Sequence, residues 1–301
     1  MAGKVSKAAG DAADSRFAVW RAGGRHRPRE VITEIAPVGG WRAVDLRELW
    51  AYRDLLKLMA WRDVTVRYKQ TILGPLWVIL QPFLTMVVFT IIFGRLARVP
   101  SDGFPYPVFS FTALVPWGLF ATSLLHASNS LVAGANLVKK VYFPRLIVPI
   151  SCIGTALIDF FITSVVLAVI MIWYGVAPTR NVVWIPAFVL LAAASSLGAS
   201  LWLSALNVRF RDVRLTVPFL VQLWFFVSPI AYPSSLVPGP WRTWYYLNPM
   251  VAVVEGFRWA LLGASAISWS AAVLSVGTAT VLLVTGAYFF RRMEVAFADV
   301  V

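Results

Sequence analysis

Long apolar runs punctuate the chain at Leu76–Phe93, Val108–Ala127, Leu146–Tyr174, Val182–Leu206, Leu215–Tyr232 and Trp269–Phe290. A helix needs about 20 apolar residues to cross a bilayer, so each run predicts a transmembrane helix, six in all. Gln81-Pro82 interrupts the first run, and its freed carbonyl must find a partner in protein or water. The third run is longer than a crossing needs and predicts a bend near Pro149 or Gly154, or a start below the membrane plane. The fourth carries Ala192-Ala193-Ala194-Ser195-Ser196 with Gly198, Ala199 and Ser200, which permits close helix approach.

The period changes ahead of the first run. Leu46, Leu49, Trp50, Leu56, Met59 and Ala60 recur at helical spacing, and Arg47, Arg53, Lys57, Arg62 and Arg67 fall between them. One apolar and one basic face predict an amphipathic interfacial helix lying flat among lipid headgroups, within a segment covering 41–75. Residues 1–40 are rich in Ala, Gly and Arg and lack an apolar signal-peptide core, which predicts a disordered basic cytoplasmic tail.

Two connections break the alternation of span and loop. Between the second and third runs, Asn129 or Ser130 is positioned to cap a short helix that Pro144 stops. Leu131, Ala135 and Val138 share one face of it, and Lys139, Lys140 and Arg145 crowd its end. Such a cationic helix belongs on the cytoplasmic side, where it has the form of a lever for a soluble partner. The second connection, 234–262, is semi-apolar and holds Trp241, Trp244, Tyr245, Tyr246, Asn248-Pro249 and Trp259. A pair of short re-entrant helices on the external side fits it.

Composition and charge support this topology. The chain is 59% hydrophobic and only 14% charged, against about 45–50% and 25% for soluble domains. Twenty-two of its 27 Lys and Arg fall on segments assigned to the cytoplasm, both termini included. The net charge of +13 therefore follows membrane topology and gives no ground for nucleic-acid binding. The spans occupy 76–292, and 293–301 forms a short cytoplasmic tail.

Chemistry is sparse. There is no phosphate-binding G-x-x-x-x-G-K-[ST] loop, no paired carboxylate at membrane depth and no His/Cys metal pattern. The one ionisable residue deep in a span is Asp159, without a second acid for a proton relay, so it is read as a hydrogen bond in a helix seam or along a pathway. The chain has a route and no energy source, which points to a partner subunit.

Several motifs in order resemble the ABC-2 type permeases that export polysaccharides. They are Arg62-Asp63-Val64 with Arg67-Tyr68-Lys69; Leu73-Gly74-Pro75-Leu76-Trp77 with Gln81-Pro82; Leu114–Phe120; Asn136–Arg145; Asn207–Val213; Ser228-Pro229-Ile230; and Leu247-Asn248-Pro249. They cover roughly 46–262. The resemblance implies a homodimer on two copies of an ABC ATPase, which would hold the ATP and Mg that this chain does not bind. The helix at 131–142 would then be a coupling helix seated on the ATPase, through Leu131, Ala135, Val138, Lys139, Lys140, Tyr142 and Arg145. Trp50, Arg53, Trp61, Arg62, Arg67 and Tyr68 would frame a cytoplasmic gate, and the half-helices at 234–262 would shape the exit.

Sugars stack on aromatic rings, and Phe83, Trp117, Phe120, Trp224, Phe225 and Tyr232 lie near the span breaks as candidate path residues. The expected function is the permease subunit of an ATP-driven exporter of a lipid-linked polysaccharide in a bacterial inner membrane. O-antigen comes first; capsule, teichoic acid, and a drug or lipid are alternative cargoes. A membrane-embedded glycosyl- or acyltransferase would need clustered acid/base residues that this sequence lacks. A passive channel would leave the basic lever without a task.

Overall fold

The computed structural model describes residues 46–69, 74, 76–140, 143–264, 269–294 and 297. The expectations for the tail at 1–40, for Tyr142 and for residues 298–301 fall outside them. Every regular element among the described residues is helical, as a chain dominated by long apolar runs requires when its backbone must satisfy its own hydrogen bonds.

In chain order the helices are α1 (Leu46–Ala51), α2 (Arg53–Lys69), α3 (Leu76–Phe89), α4 (Tyr106–Ala133), α5 (Ala135–Lys140), α6 (Ile147–Trp173), α7 (Ile185–Arg209), α8 (Val213–Val227), α9 (Gly239–Tyr245), α10 (Pro249–Leu262) and α11 (Trp269–Glu294). A π-helical stretch, Thr90–Leu96, prolongs α3, and the Ala97 N–H closes it on the Ile92 carbonyl at 2.8 Å. Five helices are long and apolar enough to cross a membrane: Leu76–Leu96, Tyr106–Ala133, Ile147–Trp173, Arg180–Arg209 and Ser270–Glu294. The remaining predicted span is shorter than expected. Helix α8 has 15 residues, about 22 Å of rise against a hydrocarbon core of about 30 Å. It stops at Ser228, whose backbone is extended ahead of Pro229.

Helix α4 is the axis of the bundle. Val108, Phe109, Phe111, Leu119, Phe120 and Leu124 on it are almost completely buried, and α3, α6, α7, α8 and α10 all pack against it. A second apolar cluster joins Met59, Leu131, Phe143, Leu146, Ile147, Leu201, Phe290 and Phe297. It lies at the end of the bundle that carries Arg209, Arg291 and Arg292, called here the basic end.

The small residues of the fourth run do what their size permits. A Cβ placed on Gly286 of α11 would lie 2.4 Å from the Gly198 carbonyl oxygen on α7, so the two helices cross backbone to backbone.

The short helix after the second run starts later than its capping residues predict. Helix α4 continues to Ala133, with the Ser128 and Ser130 hydroxyls bonded back to the Leu125 and Ala127 carbonyls. Leu131 is 1% exposed, and its packing in the basic-end cluster holds the last turn of α4 in place. The chain turns at Gly134 instead, and α5 begins at Ala135. The two short helices expected between 234 and 262 are present as α9 and α10. Asn248 caps α10 by accepting from the Met250 N–H at 3.0 Å, and left-handed Gly263 (φ +71°) ends it.

Candidate functional site

Helix α2 does not lie away from the spans. It packs along α6, with Ala60 against Gly154. Toward its C-terminus, the Arg67 guanidinium donates to the Asp159 carboxylate at 2.7 Å, and the Tyr68 hydroxyl donates to the other carboxylate oxygen. Asp159 is 7% exposed and lies halfway along α6, so an unpaired charge there would be costly. Two donors from α2 meet that need, which fixes the end of α2 to the middle of a candidate span. Burial and the neighbouring carboxylate push the Tyr68 phenol up, so it stays a donor. The amphipathic helix expected here is thus present and is clamped to α6. Its other face stays open: Trp61 is exposed, Arg53 lies over the exposed Trp50 of α1 with 5.4 Å to the ring centroid, and Arg62 pairs with Asp63 at 2.7 Å.

At the basic end, α5 carries Ala135, half-buried, and Lys140, exposed; Val138 and Lys139 lie on the same helix. Phe143 and Pro144 are buried beyond it. Arg145 is tied inward rather than presented. Its backbone N–H donates to the Glu294 carboxylate at 3.3 Å, its guanidinium donates to the Glu294 carbonyl, and it lies 5.9 Å from the Phe297 ring centroid. Arg291 holds the same carboxylate at 3.0 Å. Asn207 donates to the Ser128 carbonyl at 3.0 Å, joining α7 to the end of α4.

The aromatic candidates divide into two groups. Trp117 and Phe120 are buried, and they hold α8 onto α4: Trp117 meets Phe225 with centroids 5.4 Å apart, and Phe120 meets Trp224 at 4.9 Å. The Trp224 indole N–H donates to Asn248 at 2.8 Å. Phe83 is exposed, and the half-buried Tyr232 accepts from the Tyr245 hydroxyl at 3.2 Å. The open faces lie elsewhere. Trp77, Gln81, Leu84 and Val88 are exposed on α3 at helical spacing, as are Leu215, Phe219, Gln222 and Phe226 on α8. A polar amide thus sits among apolar and aromatic neighbours on each helix.

At the opposite end of the bundle, Arg258 on α10 is buried. It donates to the Ile230 carbonyl at 2.9 Å and to the Tyr232 carbonyl at 3.4 Å, and stacks 3.5 Å over Phe109. Burial works against its charge, while Asp102 and Glu255 favour it. It pins the non-helical segment after α8. Arg258→Met keeps much of the volume but removes both donors. We expect a loss of about 2–4 kcal/mol, since each stranded buried carbonyl costs ~1–3 kcal/mol. Thermal unfolding of the purified protein measures it, and an unchanged midpoint would deny the pin.

Residues 54–262 match the ABC-2 type transporter family. The chain belongs to that family. It is similar to the O-antigen export system permease protein RfbA of Klebsiella pneumoniae, 30% identical over 82% of this chain and 95% of that one. RfbA of Myxococcus xanthus is 34% identical over 71% and 82%. The polysialic acid transport protein KpsM of Escherichia coli is more distant, 24% identical over 67% and 78%. This ABC-2 chain is therefore a multi-pass membrane protein, a transport rather than a catalytic subunit.

In this ABC-2 transporter chain, sequence reasoning missed the partners of Asp159, the Arg145–Glu294 link and the exposed Gln222 on the open face of α8. The first two depend on contacts between segments more than ninety residues apart. Gln222 left a legible trace: it lies three and four residues from the exposed aromatics Phe219 and Phe226 of α8.

Proposed function

We propose that the chain is the permease subunit of an ATP-driven exporter of a lipid-linked polysaccharide, O-antigen first and capsule second. The similarity to O-antigen permeases along nearly their whole length carries this reading. Two permeases would stand on two ABC ATPase subunits in a bacterial inner membrane, with both termini cytoplasmic. The ATPases would hold ATP and Mg, and α5 with Lys139 and Lys140 would seat on them. Helix α8, together with the segment pinned by Arg258, would complete a sixth crossing.

The exposed faces of α3 and α8 support a route between two copies. Gln81 and Gln222 would be poorly placed against hydrocarbon but suit a wet wall. Aromatic neighbours would carry the C–H faces of sugars while the amides exchange hydrogen bonds with hydroxyls. A drug or lipid cargo would have little use for those amides.

Co-purification from native membranes should recover an ATPase subunit in equal number. Reversing Lys139 and Lys140 to Glu should weaken that association. Gln81→Leu with Gln222→Leu should lower polysaccharide export several-fold while leaving the complex intact. Export by the chain alone would refute the division of labour, and unchanged export in the double leucine variant would refute the route.

A further inference from the structure

A groove of about 450 Å³ opens between α6, the start of α7 and α10. Phe161, Ala168 and Ile172 of α6, Val182, Ile185 of α7 and Leu261 of α10 are among the residues that line it. Its wall runs along α6 from Phe161 to Ile172, about 17 Å of helix rise. That is close to half of a hydrocarbon core of about 30 Å, the depth of one leaflet. The lining is almost wholly apolar, and the flanking helices are candidate spans, so the groove faces lipid tails.

One rim of the groove is marked. Trp173, Tyr174 and Trp184 are exposed where α6 ends and α7 begins, at the level where aromatic belts meet headgroups. Arg180 stands exposed between Pro178 and Val182, both of which line the groove. The rim is rigid, because the Thr179 hydroxyl donates to the Ala260 carbonyl at 2.7 Å and its N–H donates to the Leu261 carbonyl at 3.2 Å. A guanidinium at headgroup level above a leaflet-deep apolar slot complements a lipid with a phosphate and no balancing cation.

We propose that this groove holds one acyl chain of an anionic phospholipid of the outer leaflet, with its phosphate on Arg180. The exposed Arg180 at the rim favours an anionic headgroup over the apolar face of a second copy. The site is separate from the conveyed polymer and takes its lipid from the surrounding bilayer. It rests on the orientation proposed above. Labelling of Arg180→Cys by a membrane-impermeant maleimide reads that orientation separately.

The test is native mass spectrometry of the permease–ATPase complex, delipidated and titrated with phosphatidylglycerol or phosphatidylcholine. The wild type should retain one phosphatidylglycerol per permease in preference to phosphatidylcholine. Arg180→Gln should weaken phosphatidylglycerol by about five-fold and remove the preference, the effect of one cation at an anionic lipid surface. Ala168→Trp should fill the slot and weaken both lipids; if it fails to assemble, the exposed Arg180→Gln decides alone. Equal retention of both lipids by the wild type, or phosphatidylglycerol binding unchanged in Arg180→Gln, would overturn the proposal. So would displacement of phosphatidylglycerol by equimolar polyprenyl phosphate, since the groove would then belong to a carrier lipid.

Discussion

Asp159→Asn should release the C-terminal end of α2 from α6 and abolish most transport. The carboxylate holds two donors, the Arg67 guanidinium at 2.7 Å and the Tyr68 hydroxyl, and Asp159 is 7% exposed. An amide keeps the shape but removes the charge, stranding Arg67 beside an apolar span. Breaking a buried pair costs about 3–5 kcal/mol. Arg67 has 32% of its side chain exposed and can turn partly toward water, so the lower end of that range, or somewhat less, applies. Arg67→Lys should also fail in part, because a compact ammonium cannot reproduce the planar fork. Combining Arg67→Met with Asp159→Leu should recover stability, since a well-packed apolar pair avoids the desolvation of both charges. Thermal unfolding and cysteine cross-linking between positions 60 and 154 provide the readouts. Wild-type midpoint and cross-linking in Asp159→Asn would show that no clamp exists. Recovered stability without recovered transport would make the charge pair part of the working cycle.

Gly286→Leu should drive α11 off α7 and sharply lower the yield of folded protein. Its first added carbon would lie 2.4 Å from the Gly198 carbonyl oxygen and 3.1 Å from the Trp202 ring. Backbone cannot rotate aside as a side chain can, so α11 must move off α7 along their crossing. Overpacking typically costs about 1–3 kcal/mol, and a clash with backbone belongs at or beyond the upper end. The change would also disturb the Trp202–Phe289 stack, whose centroids are 4.2 Å apart. Gly277→Leu is the internal control: it lies on the same helix, and a Cβ there meets nothing within 4 Å. Yield of folded protein by size-exclusion chromatography distinguishes the two. Comparable yields would mean that the crossing tolerates expansion.

The long helices were legible because apolar run length is a local property. Each predicted span has a helix within a few residues of it, and the connection at 234–262 holds the two short helices expected there. Two local signals misled. Asn129 and Ser130 look like caps, yet Asn129 accepts from Asn207 of α7, the Ser130 hydroxyl bonds to the preceding turn, and burial of Leu131 favoured that choice. Residues 215–232 read as one span, but Pro229 and the carbonyl bonds to Arg258 stop the helix at Val227. Amphipathic spacing alone also could not show that the helix is clamped to α6. The decision lay with Asp159, distant in sequence, whose need for donors is visible only once a partner is in reach. The aromatic candidates show the same limit: hydrophobicity marks a ring as hidden from water, but not whether neighbouring side chains or a sugar will hide it. Trp117 and Phe120 went to neighbours.

Arg145, Glu294 and Phe297 join the middle of the polypeptide to its tail. Anything that tugs on the loop between α4 and α6 therefore also tugs on the far terminus of the chain. Affinity handles fused at that terminus would hang close to α5, the helix proposed to seat on the ATPase. A modest truncation that removes Phe297 should loosen the loop between α4 and α6.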